Sequence, residues 1–242
     1  MKKEVSCYFK LSIAVILFFV SIEYSQAQIT STFDADVDGW ILRNNGDNLT
    51  ATIVQTSTGG NPGGYISGDL PFDNYPAFFW YAPAKFLGNL TYNSFGQTLS
   101  YSQQQLVTGD NGEYNGNYYE IYSADLVISS GGTSIYYHTS PKPTLKPAWS
   151  NYSVTLDESS AWRTGEYISS ALATRSQIKA VLQNVTELRI RGNYNNTANT
   201  VSLDQVSLGQ RPLATPLTIS NISVLSGNPG STLTITGSNF GA

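Results

Sequence analysis

Apolar and polar positions alternate with a period of two through most of this chain, in short runs broken by glycine, asparagine or proline. Strands are expected near Thr30–Phe33, Trp40–Arg43, Ala51–Thr56, Phe78–Tyr81, Thr98–Leu106, Tyr118–Ile128, Ser134–His138, Tyr152–Leu156, Glu187–Arg191 and Val201–Leu208. Turn chemistry lies between them at Asn45-Gly46-Asp47, Gly59-Gly60-Asn61-Pro62-Gly63-Gly64, Asp110-Asn111-Gly112 and Gly131-Gly132. Many short antiparallel strands with such punctuation indicate an all-β sandwich or jelly roll. One stretch follows the helical period instead. Thr174 and Gln177 form a capping box, and Ile178, Val181, Leu182 and Val185 then share one face. This helix is expected to cover one end of the sandwich.

The two ends of the chain break the pattern. Lys2 and Lys3, the apolar run Leu11–Val20 and the small residues of Ser25-Gln26-Ala27 read as a signal peptide cleaved before Gln28. The run falls short of the roughly 20 apolar residues that span a bilayer, so the mature chain is expected not to insert in a membrane. After a domain over 28–209, the two prolines of 210–216 read as a linker. Strands follow at Leu217–Val224 and Thr232–Thr236. Because a lone hairpin is marginal in water, residues 217–242 are expected to open a second module, with further domains beyond Ala242.

Composition narrows the function. Cys7 is the only cysteine and leaves with the signal, so the mature domain must hold together by core burial rather than disulfides. Charged residues make up 12%, and the net charge of −4 argues against nucleic acid, whose recognition rests on Lys and Arg neutralising phosphates. With 16 Tyr, 10 Phe and 4 Trp among abundant small polar residues, the surface suits stacking and neutral hydrogen bonding outside the cell. Trp40, Trp149 and Trp162 are expected in the core, and Trp80 mostly buried.

Residues 31–208 resemble the laminin IV type A, or laminin B, domain. The resemblance is carried by Phe33-Asp34 with Gly39-Trp40, by Gly60–Ile66, by Tyr81–Asn89 and by Phe95–Tyr101. Asp125–Ile128, Trp149 with Tyr152–Leu156, Ala161-Trp162-Arg163, Leu188–Gly192 and Val201–Val206 continue it in order. It implies a galactose-binding-like jelly roll with an extracellular matrix or surface role and no catalysis. In animal laminins cysteine-rich epidermal-growth-factor-like repeats flank this domain; this chain has none, which suggests a microbial surface or secreted protein. The tail Pro216–Gly241 resembles the opening of an IPT/TIG immunoglobulin-like domain, with Leu225 where a turn former is common.

Three constellations bear on chemistry. The first is enzymatic and thin. A single histidine, His138, cannot build a multi-histidine metal site, and there is no nucleophile elbow or phosphate loop. Glu113 and Glu120 are the nearest approach to a glycosidase carboxylate pair. The second is calcium. Asp34, Asp36 and Asp204 could meet if the first and last strands are neighbours, giving a hard oxygen site with backbone carbonyls; the alternative is that these aspartates cap turns. The third is a polar sheet face. Alternation turns Arg189 and Arg191, Gln104, Asp125, and Tyr136 with His138 away from the core. If their strands are neighbours, one face offers guanidinium, amide and aromatic groups to sugar hydroxyls; the alternative is an ordinary solvated face. The expected function is an extracellular, non-catalytic module that binds a glycan or matrix polymer. The alternatives are a ligand-free spacer and an accessory module of, or itself, a secreted glycoside hydrolase.

Overall fold

The computed structural model describes residues 28–46, 49–70, 77–106, 124–194, 198–211, 218–222 and 235–238. The signal segment, Glu113, Glu120, the turn at 110–112, the first part of the expected strand 118–128 and most of the linker lie outside the described residues.

Two six-stranded antiparallel sheets face each other. The first contains β1 (Gln28–Ser31), β4 (Ile53–Thr56), β5 (Tyr65–Leu70), β7 (Thr98–Gln105), β10 (Ser150–Thr155) and β12 (Asn199–Gly209), in the order β10-β7-β12-β5-β4 with β1 on β12. The second contains β2 (Ile41–Asn44), β3 (Thr50–Ala51), β6 (Phe78–Tyr81), β8 (Leu126–Ser130), β9 (Thr133–Tyr137) and β11 (Glu187–Arg191), in the order β3-β2-β6-β11-β8-β9. This is the jelly-roll sandwich that the alternation implied. β6 and β11 fall where the alternation put them. The stretch read as Ala51–Thr56 divides into β3 and β4, one in each sheet. β5 was absent from the expected strands. Gly68 interrupts its apolar pattern because Leu42 of the opposite sheet fills the space, and a Cβ there would lie 2.4 Å from Leu42 Cδ2.

β12 is the spine of the first sheet. It pairs with β7 along one edge, and with β5 and then β1 along the other. Its apolar residues change phase midway: Val201 and Leu203 point inward, then Val206 and Leu208. Strict alternation would bury Gln205 and Ser207 instead. A bulge between Asp204 and Ser207, with Gln205 at φ 49°, inserts the extra residue that corrects the phase.

The core between the sheets is built from Leu42, Trp80, Ile128, Leu188 and Ile190 on one side and Ile66, Leu99, Leu203, Val206 and Leu208 on the other, all essentially inaccessible. Trp40, Trp80 and Trp162 lie in it as expected. Trp149 does not. It rests half-buried, its ring edge-on to Tyr65 at 5.6 Å and its Nε1 donating to Gly59 O at 3.2 Å. Both partners come from segments far away in sequence. The helix α2 (Arg175–Leu182), preceded by the single turn α1 (Thr91–Ser94), packs Ile178, Val181 and Leu182 beside β8 and β9. Its capping box forms: Gln177 Oε1 accepts from Thr174 N at 2.8 Å, and Thr174 Oγ1 from Gln177 N at 3.4 Å. In the tail, β13 (Thr218–Ile222) and β14 (Ile235–Ser238) pair as a separate two-stranded sheet.

Ile190, fully buried between Trp80 and Leu126 on the adjoining strands, tests this core. Ile190→Ala is expected to cost about 2–5 kcal/mol, measured as a lower urea midpoint with an unchanged transition slope.

Candidate functional site

The alternation that buries Leu188 and Ile190 turns Glu187, Arg189 and Arg191 to the outer face of the second sheet. Register brings their neighbours: Arg189 lies opposite Tyr81 and Val127, and Arg191 opposite Phe79. On the next strand Arg43 lies opposite Phe79, and Ile41 opposite Tyr81. The result is a face of interleaved arginines and aromatic rings. The Arg43 guanidinium sits 4.1 Å above the Tyr81 ring, and that of Arg189 5.2 Å from Phe79. Glu187 lies between them, 2.9 Å from Arg189 Nε without hydrogen-bond alignment and 3.8 Å from Arg43 Nη2. Asn45 Oδ1 accepts from Arg189 Nη1. Beside this patch Phe79, Ala124 and Val127 form a small buried cluster, flanked by Tyr136.

Several expected members of the face are placed otherwise. Arg191 points outward but is 2% exposed, because Tyr194 stacks on it at 4.9 Å; its Nε donates to Asn193 O at 2.8 Å. Asp125 is fully buried, and its carboxylate accepts from Thr139 N at 2.6 Å and Lys142 Nζ at 2.7 Å. His138 is half-buried. Burial pushes its pKa below the usual value, against the pull of Asp125, so the ring is neutral near pH 7. Tyr136 stays on the face, its backbone paired to Arg163. Gln104 is on the other sheet altogether: β7 pairs with β10 and β12, so Gln104 lies on that sheet's outer side opposite Ser202. The accessible patch is therefore Ile41, Arg43, Tyr81, Glu187 and Arg189. Ile41, Arg43 and Tyr81 were missed although their strands were expected. Alternation against the core residues Leu42 and Trp80 carries the signal.

The first and last strands are indeed neighbours, and they bring Asp34 and Asp204 to one loop. Asp34 Oδ1 accepts from Gly64 N at 2.8 Å, and Asp204 Oδ2 from Asn61 N at 2.5 Å. The loop must come close to do this. At Gly63, with φ 84°, a Cβ would lie 2.2 Å from Asp34 Oδ1; at Gly64 it would lie 2.4 Å from Phe33 O. The two carboxylates respond in opposite directions. The Gly64 N–H holds Asp34 below the ordinary value, whereas burial raises Asp204 to about 6, with Asp34 adding to the rise. Asp36 stands apart and exposed, its Oδ1 accepting from Asp38 N at 2.7 Å. No group of three acidic, histidine or cysteine ligands forms among the described residues, so any ion here would need carbonyl oxygens as well.

Residues 79–212 match the family Laminin B (Domain IV). The chain belongs to the laminin B family. Human laminin subunit gamma-2 is 31% identical to it over 199 residues, which is 80% of this chain and 15% of that protein. Among solved structures, the L4b domain of human laminin alpha-2 aligns with a TM-score of 0.56 and 16% identity, covering 78% of this chain and 99% of that one. The family 11 carbohydrate-binding module of a Clostridium thermocellum cellulosomal cellulase aligns with a TM-score of 0.43 and 11% identity over 76% of this chain and 95% of that one. In this laminin B domain the family match runs from β6 through β12. It takes in Tyr81, Glu187, Arg189 and Asp204, while Asp34 and Arg43 precede it. No helix among the described residues is long and apolar enough to cross a membrane.

Two expectations follow for the loop of this laminin B domain. Gly63→Ala imposes a left-handed conformation on a side chain and displaces the Asp34 carboxylate. It is expected to lower stability by about 2 kcal/mol or more, read by thermal melting. Asp204, raised in the fold, favours the folded state most fully below the unfolded carboxylate range, and that contribution is lost as pH rises through about 6. In chelator, Asp204→Asn is therefore expected to flatten the fall in stability between about pH 4 and 6. A slope identical to that of the parent chain would exclude this carboxyl as its source.

Proposed function

We propose that this laminin B domain is an extracellular, non-catalytic binding module that engages a glycan or matrix polymer through the outer face of its second sheet. The observation that supports this is the pair of guanidinium planes, Arg43 and Arg189, held over Tyr81 and Phe79 with Glu187 between them. Planar donors beside aromatic rings match the hydroxyls and C–H faces of a sugar chain, and the surplus of positive charge on the patch tolerates acidic groups. The Arg43–Glu187 pair is a third exposed and contributes about 0–1 kcal/mol to stability, whereas Arg189 is largely buried, so binding and melting are compared together in any variant of the patch.

The purified full chain would be tested for retention on a panel of immobilised polysaccharides and matrix fractions. Saturable retention that falls at least about ten-fold in the Arg43→Ala/Arg189→Ala double variant, with cooperative melting retained, is the expected result. Retention indifferent to both arginines would remove this face from the account. No retention on any polymer would leave a spacer.

The proposal includes a structural calcium ion at the loop anchored by Asp34 and Asp204. Its support is that the two carboxylates converge, that neither has an ion pair with Lys, Arg or His among the described residues, and that the carbonyls of Phe33, Thr56 and Gly64 crowd the same loop. Bound calcium would offset the mutual repulsion of the carboxylates and tie the segment after β1 and the middle of β12 to the loop. Added calcium is expected to raise the melting midpoint of chelator-treated protein, and Asp204→Asn to abolish that rise. An unchanged midpoint leaves the carboxylates as loop caps alone.

A further inference from the structure

The arginines of the second sheet's outer face are unequally met by opposite charge. Arg189 is largely enclosed, its side chain 13% exposed, with Nη1 donating to Asn45 Oδ1 and Nε 2.9 Å from Glu187 Oε1. Arg43 keeps 33% of its side chain exposed and meets the same carboxylate only at 3.8 Å, beyond hydrogen-bond reach. Glu187 is thus drawn to Arg189. Two guanidinium groups against one carboxylate leave a single net positive charge, centred on the more exposed arginine, in a chain whose formal charge is −4.

Stacking decides which part of Arg43 a partner can reach. Register sets Arg43 opposite Phe79 and diagonal to Tyr81, whose ring it covers at 4.1 Å, with Arg189 5.8 Å from the same centroid. A ring face under a guanidinium is not open to a sugar ring. The Nε of Arg43 is buried, so what it offers is the Nη edge of its plane, donors without an acceptor in a fixed fork. Stacking holds that plane, so less rotamer entropy is lost when the fork is filled. A sugar hydroxyl both donates and accepts, and at a donor-only edge its own proton finds no partner. Carboxylate and sulfate oxygens only accept, pair with the fork, and make charge-assisted bonds roughly twice as strong as neutral ones. Ile41, 47% exposed and opposite Tyr81, adds apolar surface for the C–H side of the same sugar.

We propose, resting on the reading of this face as the binding surface, that its ligand is an acidic polysaccharide whose carboxylate or sulfate group is held by Arg43, with Glu187 limiting the affinity. Two soluble pairs test this by isothermal titration calorimetry on the full chain: polygalacturonate against its carboxyl-reduced neutral form, and dextran sulfate against dextran. At least one acidic member should bind about ten-fold or more tightly than its neutral counterpart, and lose affinity as salt is raised. Arg43→Gln should weaken that binding at least about ten-fold. Glu187→Gln removes the competing carboxylate and should tighten it roughly three- to ten-fold, a gain that damaged folding cannot produce. Binding confined to polygalacturonate identifies a uronate ligand, and binding confined to dextran sulfate a sulfate ester. If a neutral form binds as tightly as its acidic counterpart and still responds to Arg43→Gln, the preference for acid is overturned while the binding face stands. If acidic polymers bind but neither variant changes the affinity, or if no polymer binds, the preference and the face fall together.

Discussion

Everything in the first sheet hangs on one strand that is hydrogen-bonded along both edges and changes phase in its middle. β12 begins with its odd-numbered apolar residues inward and finishes with its even-numbered ones inward. The extra residue at Gln205 lets one continuous strand serve both halves of the core. The same irregularity sets Asp204 at the point where the strand turns its polar side to the 59–64 loop. Packing and loop anchoring thus share one backbone feature, and a shift of one residue would expose Val206 and Leu208 together.

The sandwich has two unlike exteriors. The second sheet carries arginines braced by an acidic residue and laid over rings. The first carries serines, asparagines and glutamines, several of them recruited into loop contacts such as Asn61 Nδ2 to Asn151 Oδ1 at 2.7 Å. Between the sheets the apolar interior gives way at one end to a polar layer, in which Gln103 donates to Arg191 O at 2.6 Å and Asn199 to Gln105 Oε1 at 3.1 Å. The Gln103 bond couples the two sheets directionally, where apolar packing alone would let them slide, and the Asn199 bond ties β12 to β7 within the first sheet.

The fold could be read largely from the chain. Alternation located β6 and β11 to the residue and most other strands to within a few, because a half-buried strand cannot hide its period. The helix was legible from its cap and from three aliphatic residues on one face. The face of the second sheet was legible for Arg189 and Tyr136, since facing follows from local alternation. Which strands become neighbours does not follow from it, and so Gln104 was grouped with strands of the wrong sheet. Burial by distant partners was equally hidden: Lys142 and Tyr194 close over Asp125 and Arg191, and nothing in the local pattern of either residue announces this. Trp149 is expected in the core from its strand-like position, yet its ring lies against Tyr65 and the Gly59 carbonyl.

The antiparallel pairing of β1 with the end of β12 sets Gln28 beside Gly209. Chain therefore enters and leaves the domain at one corner. Tension applied between Gln28 and Gly209 would act across this ladder rather than along it, opening its hydrogen bonds one pair at a time instead of loading them all at once. Such a geometry yields at low force from that corner and passes little of the load to the rest of the sandwich. Under traction the module would pay out a few residues of β1 while the arginine-bearing sheet stayed folded around its core.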